Sequence, residues 1–409
     1  MRKIRTKLLT PLTPDAAVIY RDHVIAWDED GIAFIRRFDP ALDKDCEDRR
    51  DLLCLPGFID VHVHLSQYRI RGAYEPSLLN WLERHVFPEE ARSVDPAYAK
   101  TLSDEFFQAL FIAGTSTAVI YTAPFAEACE AAFASAASSG ARAFIGMTMM
   151  DSNGPPELIQ STDYAFSRSV ELFERWHGRN PLLEYVFTPR FALSCSKELM
   201  SRVADFASAR SAWIQTHLSE NRGEIEHVLQ LFEADSYTQV YERLGLLTDK
   251  TILAHAIHLD EAELDILAAH ACKIAHCPDS NFFLKSGEFN YPALAAKKLR
   301  IGIGSDVAAG TALSMLYHAK MANFRQSAHS LKPERLFHHI TLGNATLLGL
   351  EERIGSLEPG KEADLCFLRL PSPALPDEDL LSALCFWGHE WLVEETVVAG
   401  RTVFRRLEA

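Results

Sequence analysis

The sequence predicts an α/β chain: a (β/α)8 TIM-type barrel with a small β-sandwich built from both chain ends. Three observations carry this. Eight short apolar, β-rich runs alternate with helical stretches between residues 55 and 350. The chain on either side of that region patterns as strand and turn alone. His or Asp ends several of the eight runs, on the face where barrels of this kind do chemistry. The expected division is a composite β-sandwich of residues 1–54 and 356–409 around a barrel of residues 55–355.

Each element follows from local pattern. Residues 18–27 and 31–38 are β-rich runs split by the turn cluster Asp28-Glu29-Asp30-Gly31. Residues 39–51, DPALDKDCEDRRD, read as a charged surface loop. Pro56-Gly57 then breaks the chain before a continuous apolar run with β-branched residues, which suits a strand buried on both faces. The eight strands are expected at 58–64, 116–121, 143–149, 183–187, 212–217, 251–255, 273–276 and 301–305. Helical stretches between them include 96–113, 126–138, 164–176, 198–209, 222–231 and 261–269. Beyond residue 350, Pro359-Gly360 turns into a strand, and 393–404 reads as a hairpin about Ala399-Gly400. SPALPDEDL, residues 372–380, reads as a Pro- and acid-rich loop.

The chain has 409 residues, 48% hydrophobic and 24% charged, which is an ordinary globular composition. Its net charge of -15 argues against a nucleic-acid backbone or an anionic membrane as partner, although a neutral nucleobase remains compatible. No apolar run has transmembrane length, and the basic start MRKIRTKLLT leads into no signal-type core. The eight cysteines form no C-x-x-C pair, so a thiolate metal site is not expected. They read as reduced thiols of a cytoplasmic protein; Cys195 and Cys277, although close to the motifs below, read as small buried hydrophobes.

The chemistry concentrates at strand ends. The first run ends in His62-Val63-His64, whose two imidazoles lie two residues apart and so point to one side of a strand. The fifth run ends at His217, the sixth at His255 and the eighth at Asp306. A single buried His is more often a satisfied core residue, and Asp306 alone could be a helix cap. Packing needs do not produce all five together, and three His with a carboxylate suit Zn²⁺ or Fe²⁺. Glu220, three residues after His217, is close enough to take a proton from a metal-bound water and pass it on. It equally suits the first turn of the helix that follows. The fourth run ends in FTPRF; Arg190 there offers a donor-only fork, flanked by Pro189 and Phe191. A salt-bridging surface arginine is the default for such a residue, but its neighbours favour a substrate contact.

PGFIDVHVHLSQY, TPRFALSCS, HLSENRGEIEHV, AHCPDSN and GIGSDVAAGTALSML together resemble the amidohydrolase superfamily, and within it the guanine deaminase branch. The likeness runs from about residue 55 to 361; PG-x-x-D-x-H-x-H and the Ser-Asp are shared widely, while SLLNWLERHVFP, TPRF-x-LSCS and H-x-SENR point to the branch. The resemblance implies His62, His64, His217 and Asp306 as ligands of one Zn²⁺, with Fe²⁺ an alternative. No lysine stands at the fourth strand end, where two-metal relatives carry one. It implies His255 and Asp306 as groups that steer the attacking water, and Glu220 as the proton shuttle. Gln67, Arg190 and Phe191 would hold a purine, with Trp81 near the pocket and His217, Glu220 and His255 also against the substrate. The implied reaction is hydrolysis of guanine to xanthine and ammonia in purine breakdown, by a homodimer. Phe282-Phe283 could face a partner copy or the pocket. Competing expectations are a related aminohydrolase or chlorohydrolase acting on 8-oxoguanine or a triazine, and a scaffold of the same fold without catalysis. The survival of all six site residues counts against the last.

Overall fold

A computed structural model describes residues 1–370, 372 and 375–407. Among these described residues fifteen strands run in chain order: β1 (Arg2–Thr13), β2 (Ala16–Asp28), β3 (Gly31–Arg37), β4 (Glu47–Pro56), β5 (Phe58–His64), β6 (Thr115–Thr122), β7 (Arg142–Met149), β8 (Leu183–Pro189), β9 (Trp213–Leu218), β10 (Thr251–His255), β11 (Lys273–His276), β12 (Arg300–Ile303), β13 (Leu365–Arg369), β14 (Val393–Val398) and β15 (Arg401–Arg405).

Strands β5 to β12 pair in sequence order, each neighbour parallel to the next. The ends of this eight-stranded sheet are joined by backbone bonds: Asp306 N–H donates to His62 O at 2.8 Å, and His64 N–H to Val307 O at 3.0 Å. This is the expected (β/α)8 barrel, and its closure draws the first and last strand ends together. Asn344 reinforces the seam. Its Nδ2 donates to Ile59 O at 2.6 Å and Ile303 O at 2.9 Å, while Oδ1 accepts from Ile303 N at 3.1 Å.

Strand β5 is buried along its whole length. Ile59 and Val61 pack in one cluster with Ala345, Leu347 and Leu348 of the helix Leu342–Leu348. Asp60, His62 and His64 alternate with them and so point the other way. Helices occupy the connections much as periodicity implied: Pro96–Ile112, Ala126–Ser139, Thr162–Trp176, Lys197–Arg210, Arg222–Phe232 and Glu261–Ala269.

The strands of both chain ends join in one seven-stranded sheet, ordered β15-β14-β13-β4-β1-β2-β3. It wraps a core of its own, including Ile4, Ile25, Trp27, Leu52, Phe367 and Val397. Two expectations are corrected. The reading of 39–51 as a loop fails at its end, because Glu47 to Asp51 begin β4. Their side chains reach solvent, but Glu47 and Asp48 pair with Ile4 and Arg5 of β1. The reading of 372–380 as a loop also fails in part. Pro373 and Ala374 lie outside the described residues, but Asp377 opens the helix Asp377–Trp387. Asp377, Glu378 and Asp379 fill its first turn, where negative charge meets the positive end of the helix dipole. Among the described residues no helix is long and apolar enough to cross a membrane.

Candidate active site

Five strand-end side chains meet at the carboxyl end of the barrel. Ligand-capable atoms of His62, His217, His255 and Asp306 all lie within 4.8 Å of one another. His64 joins them: its Nε2 is 3.3 Å from Asp306 Oδ1 and 3.3 Å from His217 Nε2. His62 Nε2 stands 3.2 Å from the same Asp306 oxygen. His255 and Asp306 adopt left-handed backbone, with φ of 69° and 50°. That conformation is costly for non-glycine residues and is held here by the surrounding structure.

The outer partners fix which imidazole nitrogen faces the centre. His217 Nδ1 donates to Arg190 O at 2.7 Å, and His255 Nδ1 donates to Asn281 Oδ1 at 2.9 Å. Each Nε2 is thereby left with its lone pair toward the cluster, as in metal-bound histidines. Burial lowers His217 far below the ordinary imidazole value, with His62 and His64 adding to it. Burial likewise lowers His64, to about 4. Burial opposes ionisation of Asp306, but contacts with His62 and His64 outweigh it and hold the carboxyl well below its usual range. A buried carboxylate thus sits beside His64 and His217, which burial holds toward their neutral form, and His62 Nε2 is buried without a hydrogen-bond partner. These donors fit a divalent cation, which would supply both the missing charge and the missing partner.

The amidohydrolase family profile matches residues 53–403. The chain belongs to the amidohydrolase family. Among its relatives, the probable guanine deaminase of Deinococcus radiodurans is 37% identical over 439 aligned positions, covering 99% of each chain. The solved guanine deaminase of E. coli superposes with a TM-score of 0.95 at 32% identity, over 100% of both chains. That of C. acetobutylicum, solved with guanine bound in its active site, superposes with a TM-score of 0.93 at 26% identity, over 98% of this chain and 100% of the other.

In this amidohydrolase a cavity opens beside the cluster. Every residue expected to contact substrate lines it: Gln67, Trp81, Arg190, Phe191, His217, Glu220 and His255, together with His64 and Asp306. Leu78, Leu82 and Leu284 add apolar wall. Trp81 is held by its Nε1, which donates to Ala73 O at 2.8 Å. Glu220 Oε1 accepts from Ser286 Oγ at 2.9 Å, and Oε2 lies 3.5 Å from His255 Nε2. Burial pushes Glu220 up to about 8, with the charge of Asp306 adding to the shift. Its backbone N–H donates to Glu224 Oε2 at 3.2 Å; Glu224 is also the reciprocal partner of Asn221 in the capping box of the next helix. Glu220 therefore faces the cavity from a rigid helix entrance.

Sequence reasoning missed several supporting residues. Glu90 bonds both Gln67 and Arg190. Asn281 and Ser286 hold His255 and Glu220. Asn281 and Ser286 both fall within AHCPDSNFFLKSG, a stretch quoted for its AHCPDSN motif and its two phenylalanines, with no role expected of either residue. Phe282 and Phe283 prove half-buried: Arg325 stacks over Phe282 at 4.6 Å, and Phe283 meets Tyr74 edge-on at 5.6 Å. The next residue, Leu284, is the one that reaches the cavity. Cys195 and Cys277 are buried thiols, as expected; burial pushes Cys195 up to about 12 and holds Cys277 well above the ordinary thiol value.

Proposed function

We propose that this chain is a guanine deaminase that hydrolyses guanine to xanthine and ammonia at a single divalent metal, with Zn²⁺ the first choice and Fe²⁺ the second. One observation carries the reading: His64, His217, His255 and Asp306 of the cluster line one cavity with Glu220, Gln67 and Arg190. His62, His64, His217 and Asp306 would hold the metal. His255 belongs to the tightest four-atom group by distance. Its contact with Glu220 as well as Asp306 favours a role between the water and the proton carrier rather than as a permanent ligand.

The metal, when bound, lowers the pKa of a coordinated water to roughly 7 and so supplies a nucleophile near neutral pH. Guanine binds with C2 toward the cluster, its plane near Phe191 and Trp81. Arg190 donates to the acceptor pair O6 and N7, an edge on which adenine would present a donor at position 6. Glu220 takes a proton from the attacking water and gives it to N3, which makes C2 electrophilic. Burial and the charge of Asp306 raise the proton affinity of the Glu220 carboxylate, which suits a group that takes a proton and passes it on. Asp306 and His255 orient the water and assist proton transfer to the departing amine. Leu78, Leu82 and Leu284 keep bulk water from the reacting carbon.

We assign the enzyme to the cytoplasm, which suits its eight unpaired thiols, and expect a homodimer, as the resemblance implies. The test is ammonia release from guanine, with metal content determined on the same sample. Turnover with about one zinc or iron per chain is expected, and removal of the metal by a chelator abolishes it. Bound metal without guanine turnover would move the substrate to another heterocycle.

A further inference from the structure

Glu90 has no part in the chemistry above, yet it is only 1% exposed and sits against two residues of the cavity wall. It lies in the short helix Phe87–Ala91, outside the barrel strands. Its Oε2 accepts from Arg190 Nη1 at 2.6 Å. Its Oε1 accepts from Gln67 Nε2 at 3.0 Å and from Ser66 Oγ at 3.3 Å. A carboxylate offers acceptors only, so it can hold Gln67 only by the NH₂ end of the amide. The Gln67 carbonyl is then turned away from Glu90. The closest donor the fold offers it is Ala308 N–H at 3.5 Å, the outer limit of a hydrogen bond. Arg190 is itself only 3% exposed, and a buried guanidinium needs a counter-charge.

We infer that Glu90 sets the hydrogen-bond polarity of the cavity, fixing Gln67 as an acceptor and Arg190 as a donor toward the bound purine. Glu90 touches no reacting atom and acts through the other two, so it is a positioning residue. The polarity it imposes matches guanine: O6 and N7 accept, and the ring N–H groups donate. In 2,6-diaminopurine the 2-amino leaving group is kept, but an amine replaces O6 and N1 loses its hydrogen, which reverses the pattern at both positions. Without Glu90 the Gln67 amide is free to turn over and present its NH₂ group, and Arg190 is free to leave its position. Selection between the two purines would then weaken, because a polar site rejects a mismatched ligand only while its groups cannot re-pair.

This inference rests on the guanine reading. The experiment uses metal-loaded enzyme of measured metal content, with guanine as substrate and 2,6-diaminopurine as competing substrate or inhibitor. For Glu90→Gln the expected result is a KM for guanine raised by about ten-fold or more, a kcat changed by only a few-fold, and a preference for guanine over 2,6-diaminopurine reduced by about ten-fold or more. Glu90→Asp, which keeps the charge but shortens its reach, should recover part of the KM and of the preference; if the glutamine variant does not fold, the aspartate variant is read against wild type by the same criteria. An unchanged KM and preference, or a loss confined to kcat, overturns the inference while leaving guanine turnover by the wild type intact. A metal-loaded wild type inert toward guanine overturns the functional reading instead.

Discussion

Arg190 and Glu220 illustrate how residue chemistry divides the work. Under the proposed function Arg190 recognises the purine, so Arg190→Ala should cut guanine kcat/KM by roughly 100-fold or more with metal content unchanged. Steady-state kinetics with metal analysis check this, and unaltered kinetics would remove Arg190 from substrate binding. Under the same proposal Glu220 moves protons, so Glu220→Gln should lower kcat by about 10²–10⁴-fold while KM and bound metal stay near wild type. A fall in metal content instead would make Glu220 a ligand. The histidines and Asp306 were legible in the sequence because each closes a strand run, and a strand end fixes both position and direction. Glu90 was not legible. Its partners Gln67 and Arg190 lie 23 and 100 residues away, and nothing local separates a buried bridging glutamate from one on a solvated helix.

At the scale of elements, the barrel strands were readable because each is a short apolar run bounded by turn formers. The failures came where charge masked regular backbone. Glu47 to Asp51 look like loop, but a strand needs only backbone partners, and β1 supplies them. Asp377 to Asp379 look like loop for the opposite reason, since a helix start attracts acids. The seam of the barrel, by contrast, has no local sequence sign. It depends on Asn344, which is fully buried and serves backbone groups of β5 and β12 at once. Asn344→Ala would leave several buried backbone groups unpaired, at about 1–3 kcal/mol for each group that finds no new partner. Thermal unfolding should show a clear fall in Tm. Because the seam holds His62 and Asp306 together, metal affinity should fall with it.

The whole molecule is closed by contacts between residues remote in the chain. Arg142 of β7 is buried and bonds Asp364 at 3.0 and 3.1 Å and Glu362 at 2.7 Å, tying the barrel to the chain entering β13. Within the terminal sheet, Glu395 of β14 takes bonds from Arg2 and from Arg405, the latter at 3.0 and 3.1 Å, and from Thr402 at 2.6 Å. Burial works against the Glu395 carboxylate, but Arg2, Thr402 and Arg405 outweigh it and hold its pKa below the ordinary 4.5. A carboxyl with a depressed folded-state pKa stabilises the fold above its unfolded value, and that stabilisation disappears as pH falls through the folded value. Glu395→Gln should therefore be less stable than wild type at pH 7, with the gap closing as pH drops below about 4.5. Denaturation curves at the two pH values measure it, and a gap independent of pH would assign the effect to shape rather than charge.

The sequence by itself determined the barrel, the joining of both chain ends in one β-rich unit, and the residues that gather at the strand ends. Each of these follows from periodicity and side-chain direction, which act over a few residues. Tertiary structure alone decided how the cavity is finished: Glu90 between Gln67 and Arg190, Asn281 behind His255, Ser286 against Glu220 and Asn344 across the seam. Those partners are set by distance in space, and a buried polar group is satisfied by whichever residue the closed fold brings to it.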